Sequence, residues 1–212
     1  MVELKVQGTE LGSAAPPKLL SLLEVLLGQP FLKFTFSYGD ELCIHFGQPR
    51  SYVLPRFGQK TEGSYIIGTR ASNWQFLSSV RKTVICGIDG PDPDMPLPPM
   101  PQALLPLEYG PVSKKDMLEL DFVQRGAKVA SVDVFKTEPK GVPGYGFSLA
   151  FSDHSFFWLF PNPTEEDDEL DVELADWEVF MPGMHLGVGP GEKWSCTPSR
   201  KSSGPRRSKG KS

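Results

Sequence analysis

Three groups of residues in this 212-residue chain have side chains that could do chemistry. The first is acidic. Residues 164–176 hold eight acids in thirteen positions and no base. Within them Glu165, Glu166, Asp167, Asp168, Glu169 and Asp171 could bind a cation or present negative charge to a basic protein. A calcium loop of the EF-hand kind needs oxygens at set spacing and a glycine at its sharp turn. This run has no glycine, so a face for a basic partner remains, beside the plainer reading of a solvated loop between strands.

The second group is His45, His154 and His185, too widely spaced to form a short-range His-x-x-x-His pair. No metal centre is expected. Ser152-Asp153-His154 has the letters of a catalytic triad, but chain neighbours cannot point at one another as a relay requires. It reads as a turn. Gly187-Val188-Gly189-Pro190-Gly191 lacks the strand-loop-helix setting that cradles phosphate, and its proline removes an amide donor. It reads as a hairpin end, and no cofactor is expected.

The third group is basic. Arg200, Lys201, Arg206, Arg207, Lys209 and Lys211 lie in a Ser/Gly-rich stretch, residues 199–212, with no acid and no apolar anchor. Composition predicts a disordered tail. Such a tail can neutralise phosphates in a salt-dependent, sequence-independent way, but it has no aromatics for base stacking. Without these six charges the chain has 16 basic and 26 acidic residues, a net charge of −10 instead of −4.

The elements that must position these groups are mostly strands. Residues 31–38 and 41–46 alternate with period two around Gly39-Asp40, and residues 147–151 alternate before the turn Asp153-His154, with 156–160 as the return strand. Further short strands are expected at 65–67, 74–77, 84–86, 118–123 and 129–135. The run Phe156-Phe157-Trp158-Leu159-Phe160 is apolar on both faces and predicts a central, doubly covered strand. One helix is expected near residues 17–27, with proline in its first turn and Gly28 as its stop. Residues 90–111 contain eight prolines in 22 positions and read as a stiff connector.

The second half resembles the first. Phe36-Ser37-Tyr38-Gly39 and the run to Phe46 match Phe151-Ser152-Asp153-His154 and the run to Phe160. Asn73-Trp74-Gln75-Phe76-Leu77 matches Asp176-Trp177-Glu178-Val179-Phe180. The fold expected is mainly β with minor α: two tandem, internally duplicated antiparallel β-units packed together. The first unit spans 1–89 and the second 112–198, the latter carrying the acidic loop 164–176. Trp74 and Trp177 recur and are expected in the core. Trp158 and Trp194 lack counterparts and are expected at a surface or pocket, Trp158 as a partner contact. The aligned stretch 48–72 of the first copy instead carries Arg50, Arg56, Lys60 and Arg70, an ornament where specialised function can lie.

Three separated cysteines, Cys43, Cys86 and Cys196, read as reduced thiols, the first two as buried small hydrophobes. With no signal-like N-terminus and no run long enough to span a membrane, a cytoplasmic location without membrane contact is expected.

The strand-and-turn grammar of Phe151-Ser152-Asp153, Pro161, Asp176-Trp177-Glu178-Val179, Pro182-Gly183 and Leu186-Gly187-Val188-Gly189-Pro190-Gly191 resembles small bacterial β-rich domains, some of which accompany polymorphic toxins as immunity proteins. The first copy departs from it, with Gly47 in place of Pro161. The resemblance implies a fold and carries over no catalytic residue. The function expected is a non-enzymatic protein-binding module of immunity-like type using the acidic loop. A nucleic-acid accessory role through the tail is the alternative. A hydrolase with a cleft between the units ranks third, because no nucleophile has a base beside it.

Overall fold

The computed structural model describes residues 6–8, 17–36, 41–56, 58–70, 72–78, 83–86, 108–110, 126–138, 141–161, 176–189 and 191–199. The chain is mainly β with one short N-terminal helix. Among the described residues no helix is long and apolar enough to cross a membrane. The acidic run 164–175, the basic tail from Arg200, the turn Gly39-Asp40 and the strand expected at 118–123 lie outside the described residues.

The strands in chain order are β1 (Val6–Gly8), β2 (Phe31–Phe36), β3 (Leu42–Phe46), β4 (Arg50–Leu54), β5 (Gly58–Glu62), β6 (Tyr65–Gly68), β7 (Asn73–Ser78), β8 (Thr83–Cys86) and β9 (Glu108–Gly110). The series continues with β10 (Val129–Thr137), β11 (Gly144–Phe151), β12 (Phe156–Phe160), β13 (Trp177–Met181), β14 (Met184–Val188) and β15 (Trp194–Pro198). Seven of them form one sheet in the order β1-β15-β14-β13-β6-β3-β2. Six form a second, β10-β11-β12-β7-β8-β9. Among the described residues β4 and β5 pair only with each other.

Each sheet takes strands from both halves of the chain. The first half leaves the seven-stranded sheet after β6 and enters the other at β7; the second half makes the opposite crossing between β12 and β13. Inside the sheets the halves are joined edge to edge at two ladders, Ile67↔Val179 in one and Phe76↔Phe157 in the other, and β1 adds a third by pairing with β15 at the rim of the first sheet. They therefore interleave rather than pack as tandem units. The physical reason is the strand edge: β6, β13, β7 and β12 would each expose unpaired backbone if the halves stood apart. The segments that match in sequence sit in opposite sheets, β3 and β13 in one, β12 and β7 in the other.

Inward-facing aromatics fill the space between the sheets. Phe46 stacks on Phe151 at 6.2 Å, Phe34 meets Phe76 edge-on at 5.4 Å, and Trp177 lies 4.8 Å from Phe147. Each pair reaches from one sheet to the other, and such pairs contribute about 0.5–1.5 kcal/mol beyond the area they bury. The Trp177 indole also donates to the Tyr145 carbonyl at 2.7 Å, so the ring is held by a polar tie as well as by packing. Trp74 and Trp177 are core residues, as expected.

The helix α1 spans Pro17–Leu23, and the turn Glu24–Leu26 tightens to a 3-10 form. Leu19, Leu23 and Leu26 are fully buried and seal one end of the core against β10. Tightening keeps Leu26 inward while Val25 and Leu27 stay exposed, so the α-helix ends at Leu23, five residues before Gly28. The connector 90–111 is not structureless throughout: β9 pairs in parallel with β8 as an outer strand. An outer position suits a proline-flanked segment, because one side of its backbone needs no partner.

Turn chemistry is local and matches the sequence. Asp153 accepts from the Ser155 amide at 3.1 Å and from its hydroxyl at 3.0 Å, and His154 takes φ +66° between β11 and β12. Pro182-Gly183 joins β13 to β14, with Gly183 at φ +79°, a region glycine enters without steric cost.

A buried charge pins the sheets together at one end. Glu192, in the turn between β14 and β15, is 2% exposed. Its carboxylate pairs with Lys136 of β10 and accepts from the Tyr145 hydroxyl of β11 at 3.0 Å. The Lys136 hydrogen bond outweighs burial and, with that of Tyr145, holds its pKa below the usual carboxylate value of 4.5. A carboxyl depressed in the folded state stabilises the fold above the unfolded value, and that stabilisation is lost as pH falls through the folded one. Glu192→Ala should therefore cost about 3 kcal/mol in urea unfolding at neutral pH. The difference from wild type should shrink once the pH is taken well below 4.5. A constant difference at both pH values would mean that the ion pair contributes nothing.

Candidate functional site

Register decides which side chains meet on the outer face of the seven-stranded sheet. One row across it reads Phe34, Ile44, Ile67, Val179, Leu186 and Cys196, every residue buried against the core. The rows on either side must point outward, because side chains alternate along each strand. One outward row is Thr35, Cys43, Gly68, Glu178, Gly187 and Ser195; the other is Lys33, His45, Ile66, Phe180, His185 and Thr197.

Glu178 is the centre of this face. Its side chain is 6% exposed although it points away from the core. One carboxylate oxygen lies 2.7 Å from Nη2 of Arg70, and the other lies 2.9 Å from Nε2 of His185. An ionised carboxylate only accepts, so the His185 proton sits on Nε2. Burial pushes the Glu178 pKa up, but the His185 and Arg70 hydrogen bonds outweigh burial and the net shift is downward. Arg70 also sits 3.7 Å from Glu41 through Nε, an ion pair rather than a hydrogen bond. Phe180 stacks on the His185 ring at 4.7 Å and 17° while remaining 39% exposed.

The backbone makes room for this group in two ways. Gly68 carries no Cβ; one placed there would lie 2.7 Å from a Glu41 oxygen and 3.2 Å from Cγ of Glu178. Arg70 occupies the corner between β6 and β7 with φ +47°, a conformation that costs a non-glycine residue about 1–3 kcal/mol. The corner is tied down by Ser72, whose hydroxyl donates to the Asp176 carbonyl at 2.5 Å, and by Thr69, whose hydroxyl accepts from the Leu42 amide at 3.1 Å.

Beside this face the β4–β5 hairpin projects as an arm. It is tethered at its base. Lys33 donates to the Thr61 carbonyl at 2.5 Å, the Gly63 amide donates to Nδ1 of His45 at 3.2 Å, and Ser64 donates to the Gln48 carbonyl at 2.8 Å. Nε2 of His45 then donates to Thr35 at 2.7 Å, the tautomer fixed by the Gly63 contact. The arm exposes Arg50, Arg56, Lys60 and, at 75%, Val53.

Both Glu178 oxygens are engaged, so the carboxylate is not poised as a base. Cys43, expected in the core, is instead half-buried on the outer face, because it alternates with Leu42 and Ile44. Burial, then the charges of Glu41 and Glu178, push its thiol up to about 12, so it is not a thiolate nucleophile at neutral pH. Among the described residues no three metal-ligating side chains converge.

Trp158, expected to meet a partner, is 2% exposed and lies against Phe156 at 5.6 Å. Its strand is central in the six-stranded sheet, as its two-faced apolar pattern predicts, and that position buries it. Trp194 is likewise buried, at 5% exposure. Glu165, Glu166, Asp167, Asp168, Glu169 and Asp171 fall outside the described residues, as do Arg200, Lys201, Arg206, Arg207, Lys209 and Lys211. Sequence reasoning did not single out Glu41, Glu178, Phe180 or the pairing of His185. The usable signal was alternation: with Trp177 and Val179 in the core, Glu178 and Phe180 must face out.

His45 gives the site a pH signature. Burial, then the nearby Lys33 charge, lowers its pKa from 6.5 to about 4. The unfolded chain binds this proton more readily, so stability is full above pH 6.5 and falls as the pH drops toward 4. Urea unfolding should lose about 3 kcal/mol over that window, and His45→Gln should flatten the slope. An unchanged slope in the variant would remove His45 from this role. No protein-family model matches the chain, and neither the curated proteins nor the solved structures contain a match to it.

Proposed function

We propose that this chain is a non-enzymatic protein-binding module of a bacterial cytoplasm, of the immunity-like type, and that its partner is basic. The observation that carries the reading is Phe180. It is an exposed aromatic held rigid against His185, beside an ion cluster whose members hold one another in place. Interfaces favour such an arrangement: a preorganised aromatic anchor, ringed by polar groups, at little entropic cost. The acidic residues Glu165, Glu166, Asp167, Asp168, Glu169 and Asp171 precede β13 in the chain, the strand that presents Glu178 and Phe180 outward. Their charge would speed encounter with a basic surface and the aromatic would hold it.

The test is a pull-down from native-host lysate with full-length chain, residues 1–198, Phe180→Ala, and a chain with Glu165, Glu166, Asp167 and Asp168 neutralised. One basic protein should be retained at equal stoichiometry by the first two. Phe180→Ala should weaken it by about thirtyfold, as loss of a central anchor does. Neutralising the acids should weaken binding and flatten its salt dependence. Affinity unchanged in both variants would remove this surface. Nucleic acid captured only by the full-length chain would favour the alternative, an accessory protein acting through the six basic residues of the tail.

A further inference from the structure

The β4–β5 arm is a two-stranded sheet on its own, and two strands are marginally stable in water unless a third strand or an apolar surface completes them. The tethers from Lys33, His45 and Gln48 lie at its base. Of its two long edges, β5 faces the main sheet: the Thr61 carbonyl is turned out of the ladder and accepts from Lys33. Antiparallel pairs alternate between residues bonded to each other and residues whose amides and carbonyls point outward. Ser51 pairs with Thr61, and their side chains touch at 2.9 Å, as suits the closer, outward-pointing type of pair. Val53, paired with Gln59, is therefore of the same type. Along β4 the amides and carbonyls of Ser51 and Val53 thus face away from β5, on an edge that no described strand covers.

The side chains along this edge select what could cover it. Arg50 and Tyr52 share one face of the arm with Lys60, while Val53 shares the other with Ser51, Gln59 and Thr61. Arg56 lies at the tip. The one acid, Glu62, is bound by the Tyr52 hydroxyl. The arm therefore has Arg50 on the face it shares with Glu62, Arg56 at its tip, an exposed valine on the other face, and backbone groups between them.

We propose that β4 is a docking edge for an extended segment of a partner protein in which acidic and apolar residues alternate. The inference goes beyond the surface around Phe180 and rests on the same reading of the chain as a binding module. Backbone hydrogen bonds to Ser51 and Val53 supply affinity, the acids meet Arg50 and Arg56, and the apolar side chains cover Val53; strand addition divides affinity and specificity in this way. A duplex nucleic acid is the less favoured occupant, because it has no peptide backbone to pair with the edge at Ser51 and Val53.

The probe is a fluorescein-labelled peptide of sequence Glu-Leu-Asp-Val-Glu-Leu, the alternation that the chain itself carries at residues 169–174. It is titrated by anisotropy into the full chain, and into the full chain with Glu169→Gln, Asp171→Asn and Glu173→Gln so that its own run does not compete. Saturable binding is expected, weakened about tenfold by Arg50→Glu with Arg56→Glu. Val53→Pro should weaken it equally, since it removes an outward amide and leaves the β4–β5 ladder bonds intact. A peptide of the same composition in blocks, Glu-Glu-Asp-Leu-Val-Leu, should bind about tenfold less tightly. No saturable binding to either chain, equal binding of the block peptide, or tighter binding of a short DNA duplex would overturn the proposal. If the peptide fails while a basic partner is still retained through Phe180, the arm alone is excluded; if Phe180→Ala is silent while the peptide binds, the arm stands and the outer face does not.

Discussion

Two ladders, β6 with β13 and β7 with β12, are the constraint on which the rest of the structure depends. Each joins a strand from one half of the chain to a strand from the other, and each lies inside its sheet rather than at a rim. Without them both sheets would be cut in two, leaving four long apolar edges in water. With them, the inward aromatics of both halves close on one another, Phe46 on Phe151 and Trp177 on Phe147. The buried Glu192 adds a charged tie between the two sheets, joining the β14–β15 turn to β10 and β11.

The candidate site follows from the same joint. Glu178 is the second residue of β13, and Gly68 is its register partner on β6. Arg70 comes two residues after Gly68, at the corner where the chain leaves for the other sheet. The ion cluster thus spans the seam between the halves, with Glu41 and Arg70 from one and Glu178 and His185 from the other. A site assembled across a ladder inherits the rigidity of that ladder. The arm is the opposite case. It stands outside both sheets and is held through a few contacts at its base, among them the neutral His45. One surface is preorganised, and the other is available for completion by a partner.

The sequence made the local structure legible because alternation and turn chemistry act over a few residues. The β2–β3 and β11–β12 strands, the Ser152-Asp153-His154 and Pro182-Gly183 turns, and the central position of β12 could all be read that way. It did not reveal which strands pair across the halves, because those partners lie at least 79 positions apart and their edges look alike. Tandem units were the natural expectation, and interleaving replaced them. The cluster at Glu41, Arg70, Glu178 and His185 was hidden for the same reason: no local pattern brings residues 41 and 178 together. Cys43 was misplaced by hydrophobicity when its alternation with Leu42 and Ile44 pointed it outward, and Trp158 by the expectation that an unmatched tryptophan marks a surface.

Hydrogen exchange of the backbone amides, measured strand by strand in the native state, tests the interleaving most directly. If the halves interleave, β3, β6 and β13 should share one opening free energy with β7, β11 and β12, because strands of both halves complete each sheet and close a single core. The amides of β4 and β5 should exchange at distinctly lower free energy. Two opening energies divided along the chain, one for strands before residue 90 and another for strands after residue 111, would contradict it and return the fold to two independent units.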